Sequence, residues 1–167
     1  MKIKEYKKLN NTTALKKAHA KCKRWFNLYI RLKNLYLYRA FRDEQFNIYG
    51  RCCTCGDIWQ VELFSDKSIM NGKKWHCGHY WKADRHASVR YDERNCGLQC
   101  YNCNKNLSGN ESNFESYLRT VLGDKGFEQL KKDKDKIKHW NILELDPLAD
   151  EYKLKAKLRA NELQIKI

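Results

Sequence analysis

Apolar residues recur along the first third of the chain at alternating steps of three and four: Leu15, Ala18, Cys22, Trp25, Tyr29, Leu32, Tyr36 and Ala40. Phe26, Ile30, Leu37 and Phe41 form a neighbouring stripe. No Gly or Pro interrupts this period, which predicts one long helix from about Thr13 to Phe46, ending near Asn47–Gly50. Lys16, Lys17, Lys21, Lys23, Arg24, Arg31, Lys33 and Arg39 fill much of the remaining face. The aromatic stripe is expected to pack on the rest of the protein, in preference to a dimer contact or base stacking.

The helical period is lost over 51–110, where short strand-like runs (Ile58–Phe64, Lys74–Trp81) alternate with turn residues. It returns after 111. Phe114, Leu118, Val121 and Leu122 predict a short helix stopped by Gly123, and Phe127, Leu130 and Ile137 a second. The mixed-sign run over 131–138 reads as a solvated helix face. Asp146-Pro147 predicts the start of a last helix, with Asp as N-cap and Pro in the first turn, carrying Leu148, Tyr152, Leu158 and Leu163. Three segments follow, 1–50, 51–110 and 111–167, expected to form one compact α+β unit.

Charge changes this picture. The 167 residues hold 34 basic and 20 acidic side chains, a net +14. Residues 1–50 carry 13 basic and 3 acidic groups, against 9 and 6 over 51–110 and 12 and 11 over 111–167. Such an imbalance on one segment is the electrostatic footprint of a partner such as nucleic acid. No run approaches the ~20 apolar residues of a membrane span. The N-terminal residues lack the apolar stretch of a signal peptide, so the expected location is cytoplasmic. One proline and 42% hydrophobic residues argue against disorder.

Eight cysteines in a reducing compartment point to metal before disulfides. Cys52-Cys53-Thr54-Cys55-Gly56 and Cys100-Tyr101-Asn102-Cys103 each contain a C-x-x-C pair. Two such pairs can close a tetrahedral thiolate site suited to zinc. Cys52 and Cys55 form the first pair, because that spacing lets both sulfurs turn toward one ion, and Cys53 should point elsewhere. Cys22, Cys77 and Cys96 lack paired spacing and read as small buried hydrophobes. The 44 residues between the pairs exceed the ~15–20 of a simple two-knuckle module. Inside them lie Trp75-His76-Cys77-Gly78-His79-Tyr80 and Arg90-Tyr91-Asp92-Glu93-Arg94-Asn95, and the second knuckle runs on through Asn104 to Ser108-Gly109-Asn110.

With these motifs in place, the chain resembles the HNH (ββα-metal) nucleases, and more narrowly the NinG/Rap recombination endonucleases of tailed phages. The resemblance covers roughly residues 13–165 and is most specific over 75–110. It implies a zinc-stapled ββα-metal finger between a long basic helix and C-terminal helices. It also implies metal-dependent cleavage of branched DNA, Holliday junctions and D-loops, with the host cytoplasm as the location. His79, Asn95 and Asn104 match the three HNH positions. By that match His79 is the general base, Asn95 braces the loop presenting it, and Asn104 holds Mg²⁺ or Mn²⁺ through its amide oxygen. An imidazole titrating near ~6.5 suits the first role, and a hard oxygen donor suits the last.

One position departs from the common HNH pattern. Gly78 stands where a metal-binding Asp usually precedes the catalytic His, a glycine shared by NinG-type sequences. His76 or Asp84 would then supply the second ligand. Lys73, Lys74, Lys82, Arg85, Arg90, Arg94 and Lys105 flank the site and, with Lys21, Arg24 and Arg31 of the basic helix, are the expected phosphate contacts. Arg90 and Arg94 lead because they lie in the family-like stretch. Two alternatives remain: a non-catalytic zinc-dependent DNA-binding module, and an HNH nuclease of ordinary duplex DNA. A two-fold junction would suit a homodimer.

Overall fold

The protein is described here from a computed structural model, which covers residues 12–38, 47–61 and 74–167. Helix α1 spans Thr12–Lys33 and buries Ala18, Cys22, Phe26, Leu28, Ile30, Arg31 and Leu32. It is shorter than the apolar period predicts. Leu35–Tyr38 is instead strand β1, antiparallel to β2 (Asn47–Arg51), which pairs with β3 (Ile58–Val61). The expected helical residues 39–46, and the end of the 58–64 run, lie outside the described residues.

The helix stops at Lys33, where one local and one distant side chain meet its carbonyls. Its last carbonyls are taken by other donors: Asn34 Nδ2 donates to Ile30 O at 2.7 Å, and Arg159 Nε to Leu32 O at 3.4 Å. Arg159 Nη2 also donates to Leu35 O at 2.6 Å, so a residue more than 120 positions away caps the turn between α1 and β1.

Strands β4 (Trp75–His79) and β5 (Cys96–Cys100) form a separate antiparallel pair, with His79 opposite Cys96 and Trp75 opposite Cys100. The long connection between them contains two 3₁₀ turns, Ala87–Val89 and Glu93–Asn95. A short π-helical turn, Asn102–Asn106, follows β5. The order is therefore strand, long loop, strand, helical turn.

Helix α2 (Glu111–Asp133) is broken at Gly123, whose φ of 67° is left-handed, so the predicted stop is a kink between two helical halves. Its residues Phe114, Leu118, Phe127 and Leu130 cover the β4–β5 connection through Val89, Tyr80 and Trp81. Ile137, expected on that buried face, is 88% exposed.

Helix α3 spans Ile142–Glu162 and starts four residues before the predicted Asp146 cap. Asn141 is the N-cap: its side chain accepts from Glu144 N at 3.1 Å, and Glu144 Oε2 accepts from Asn141 N at 3.1 Å. This reciprocal box satisfies two orphan donors, and Pro147 lies inside the helix, past its first turn. Asp146 instead faces Lys21. Leu145, Ala149, Tyr152, Ala156 and Ala160 line the buried stripe of α3. The three alanines admit α1 closely, and Phe26 meets Tyr152 edge-on at 4.8 Å. One apolar cluster joins Leu28 and Leu32, the first sheet, Trp75, Leu98 and the end of α3, so core residues come from all three sequence segments.

Glu93 ties these parts together, accepting from Lys33 Nζ at 2.7 Å and from Lys155 Nζ at 3.1 Å. Burial alone would raise its pKa, but the two ammonium groups outweigh it and hold the carboxyl below its usual range. Glu93→Gln is expected to cost about 1 kcal/mol at neutral pH. Because the folded pKa is depressed, this stabilisation is present above the ordinary carboxylate range and disappears as pH falls through the depressed one. Urea titrations of both proteins at descending pH should converge.

Candidate functional site

The four cysteines of the two C-x-x-C pairs converge. Their sulfurs all lie within 4.8 Å of one another, with Cys55 and Cys100 at 4.0 Å. A tetrahedral ion with ~2.3 Å bonds to sulfur would place its ligands roughly 3.8 Å apart, so the cluster can hold a metal such as zinc. The second knuckle supplies amide donors to sulfur in both knuckles: Cys100 N to Cys52 Sγ and Cys103 N to Cys100 Sγ, each at 3.4 Å. Gly56, at φ 78°, closes the first knuckle with its N–H on Cys52 O. Burial would push the Cys52 thiol up, but amide and Thr54 hydroxyl donors bring it down to about 7, while burial raises Cys55 and Cys100. Cys53 points away, packed over Gly97.

Strand alternation sorts the remaining site residues onto two faces. His79 lies on the face toward α1, 6.0 Å from the ring of Phe26. Its Nε2 donates to Arg90 O at 3.1 Å, which leaves Nδ1 with the lone pair in the neutral ring. Burial lowers its pKa, partly opposed by the carbonyls of Arg90 and Cys77. Beside it a cavity of about 240 Å³ is lined by His19, Lys23, Asn27, Asp84 and Arg90.

Asn95 is fully buried and holds the loop that leads away from His79. Its Oδ1 accepts from Trp81 N, and its Nδ2 donates to Trp81 O and Val89 O, at 2.9, 2.9 and 3.1 Å. Its own carbonyl accepts from Tyr80 N at 2.9 Å.

The opposite face of β4 carries His76 and Gly78. Here the knuckle brings Asn104 Nδ2 to 2.8 Å from His76 Nδ1. This pair does not share a niche with His79: three residues along a strand separate their backbones by roughly 10 Å, on opposite faces. Gly78 also has a steric explanation. A Cβ there would meet Gln99 Oε1 at 2.1 Å. Gln99 is fully buried and donates through Nε2 to Gly109 O at 2.7 Å. No carboxylate can stand at 78 while Gln99 braces the loop at 109.

The expected phosphate contacts disperse. Arg31 is 6% exposed and cannot present its charge to a ligand, because it falls on the packed face of α1. Lys21 pairs with Asp150 at 2.9 Å, and Arg94 with Asp92 and Asp133 at 2.6 and 2.8 Å, so their charges are already matched. Arg90 Nε donates to Ala83 O at 2.7 Å beside the His79 cavity. Lys74, Lys82, Arg85, Lys105 and Arg24 are exposed. Lys73 lies outside the described residues. Lys23 and His19 are cavity-lining residues that sequence reasoning did not single out. Their position depends on how α1 crosses β4, and no motif marks it.

Among the described residues no helix is long and apolar enough to cross a membrane. The profile of the family described as Bacteriophage Lambda NinG protein matches residues 2–162. The chain therefore belongs to the NinG family of bacteriophage proteins. It is 26% identical over 106 residues to protein ninG of Escherichia phage lambda, and 27% identical over the same length to that of Salmonella phage P22. Each alignment covers 64% of this chain and 46% of the relative, so the chain spans about half the length of the curated relatives it matches. No solved structure matches it.

Two measurements test this geometry. Metal analysis of the purified protein should find zinc, and chelation should unfold the β4–β5 region, as loss of far-UV and near-UV circular dichroism; a metal-free protein with native spectra would contradict the four-thiolate assignment. Gly78→Ala should destabilise the fold by about 2–3 kcal/mol, because Gln99 must move, and a denaturant midpoint reads the effect.

Proposed function

We propose that the chain is a metal-dependent endonuclease that hydrolyses phosphodiesters in branched DNA during phage recombination. The observation that carries this reading is the His79 niche: a half-buried imidazole whose pKa is held below its usual range by desolvation, oriented by the Arg90 carbonyl, beside a cavity lined also by Lys23, Arg90 and Asp84. Membership of the NinG family supports the setting in phage recombination.

The roles follow from position. Nδ1 of His79 takes the proton of the attacking water, and Asn95 keeps the 80–90 loop, and with it the Arg90 carbonyl, in register. Lys23 and Arg90 attract the phosphate. A divalent ion, when bound, would offset charge on the phosphate and the leaving oxygen. Asp84 offers the hard oxygen donor inside the cavity of His79 and is the preferred residue to hold it. The Asn104–His76 pair, roughly 10 Å from that niche, is the less suited of the two expected sets. The fold order of strand, loop, strand and helical turn supports assignment to the ββα-metal class, with the four-cysteine cluster as its staple.

Incubating a synthetic four-way junction and a matched linear duplex with the protein in Mg²⁺, Mn²⁺ or EDTA tests the reading. Junction cleavage should need the divalent ion. His79→Ala should lower the rate roughly 10²–10⁴-fold while junction binding persists. Asp84→Asn should lose activity that excess Mn²⁺ partly restores, with Asn104→Ala affected less. Equal cutting of the duplex would make this an ordinary duplex nuclease. Binding without cleavage under any metal would make it a DNA-binding module. Lys23→Glu should weaken binding and flatten its salt dependence, because a phosphate contact is lost.

A further inference from the structure

We propose a second, thiophilic metal site formed by Cys77, His79 and Cys96, separate from the four-cysteine cluster and able to silence His79. Their ligand atoms lie within 4.8 Å of one another. Cys77 and His79 share a face of β4, and Cys96 stands opposite His79 on β5, so the register of one strand pair builds the set. Two thiolates and one imidazole make a ligand group that suits zinc and keeps a coordination position open. Of the three residues, His79 also borders a cavity of about 240 Å³, the side from which water or an exchangeable ligand would approach.

Two further observations point the same way. Metal-binding histidines commonly donate their other ring N–H to a carbonyl, and His79 Nε2 makes that bond to Arg90 O at 3.1 Å. Arg31 is buried, which lowers the pKa of its guanidinium, and a thiolate at Cys77 would oppose that penalty. The same guanidinium would balance the thiolates a metal requires. Cys77 is only half-buried, so an ion can reach the group.

The consequence for activity rests on the reading of His79 as the general base. A zinc-like ion bound here occupies the lone pair that would accept the proton of water. Mg²⁺ and Mn²⁺ prefer oxygen ligands and would leave that lone pair available. The site would therefore make the protein sensitive to thiophilic ions that do not replace its working cation.

Cobalt(II) is the probe, bound to the reduced full-length chain under anaerobic conditions and counted by metal analysis and by thiolate-to-cobalt absorption. The wild type should take up two equivalents, and Cys77→Ser and His79→Ala one each, with far-UV spectra unchanged. If Cys77→Ser does not fold, His79→Ala alone decides. A cobalt count that neither substitution alters, or a Cys77–Cys96 disulfide in the reduced preparation, overturns the site. In a separate arm, micromolar Zn²⁺ should inhibit Mn²⁺-supported junction cleavage of the wild type, and at least tenfold more should be needed for Cys77→Ser. Failure of cleavage in every sample would overturn the nuclease reading and leave the metal count to judge the site.

Discussion

The arrangement depends above all on the convergence of Cys52, Cys55, Cys100 and Cys103. These residues lie at the exit of β2 and the exit of β5, two places about 45 positions apart in sequence. Bringing four sulfurs together costs loop entropy and, if all were charged, mutual repulsion. A metal ion removes the repulsion and closes the loop at once. Everything inside the loop inherits the constraint. Trp75 is placed opposite Cys100 and packs into Gly50 of the first sheet, where a side chain would meet its ring at 2.9 Å. Asn104 follows Cys103 directly and so reaches His76.

A second constraint is the sandwich of β4 and β5 between α1 on one face and the 104–109 loop on the other. It forces a division of labour between the faces. His79 lies on the side of α1, beside the cavity, where desolvation lowers its pKa. His76 and Asn104 lie on the side of the knuckle, with Gln99 filling the space a longer residue at 78 would need. Gly78 before His79 is thus fitted to the packing of Gln99.

The basic character of α1 serves two ends. Its packed stripe runs along α3, where Ala149, Ala156 and Ala160 let the helices approach and Arg31 is drawn inside. Lys21 is neutralised by Asp150, while Lys23 opens onto the His79 cavity. Net charge on a segment therefore overstates the charge a ligand would feel, because tertiary ion pairs consume part of it.

Local pattern carried much of this. The 3.6-residue period placed α1, and Gly123 marked the break in α2, but of the apolar positions expected in the last helix Leu158 is exposed and the buried stripe runs instead through Leu145, Ala149, Tyr152, Ala156 and Ala160. The doubled C-x-x-C spacing identified the four-cysteine cluster that can hold a metal, because two sulfurs three residues apart can turn toward one point. The motifs of 75–110 carried the family. What pattern could not carry was any event decided by a distant partner. Helix α1 ends at Lys33 with Asn34 and the distant Arg159 on its carbonyls, and the local sequence records only the first of these. Helix α3 begins at Asn141 because a side-chain box there satisfies more donors than Asp146 could beside Pro147. Cys77 and Cys96 looked like isolated apolar cysteines, since only the β4–β5 register sets them beside His79. The sequence by itself determined periodicity, charge and ligand spacing, which are properties of neighbours along the chain. The tertiary structure decided termination, burial and which face each site residue occupies, because those depend on free energy shared between residues that meet only after folding.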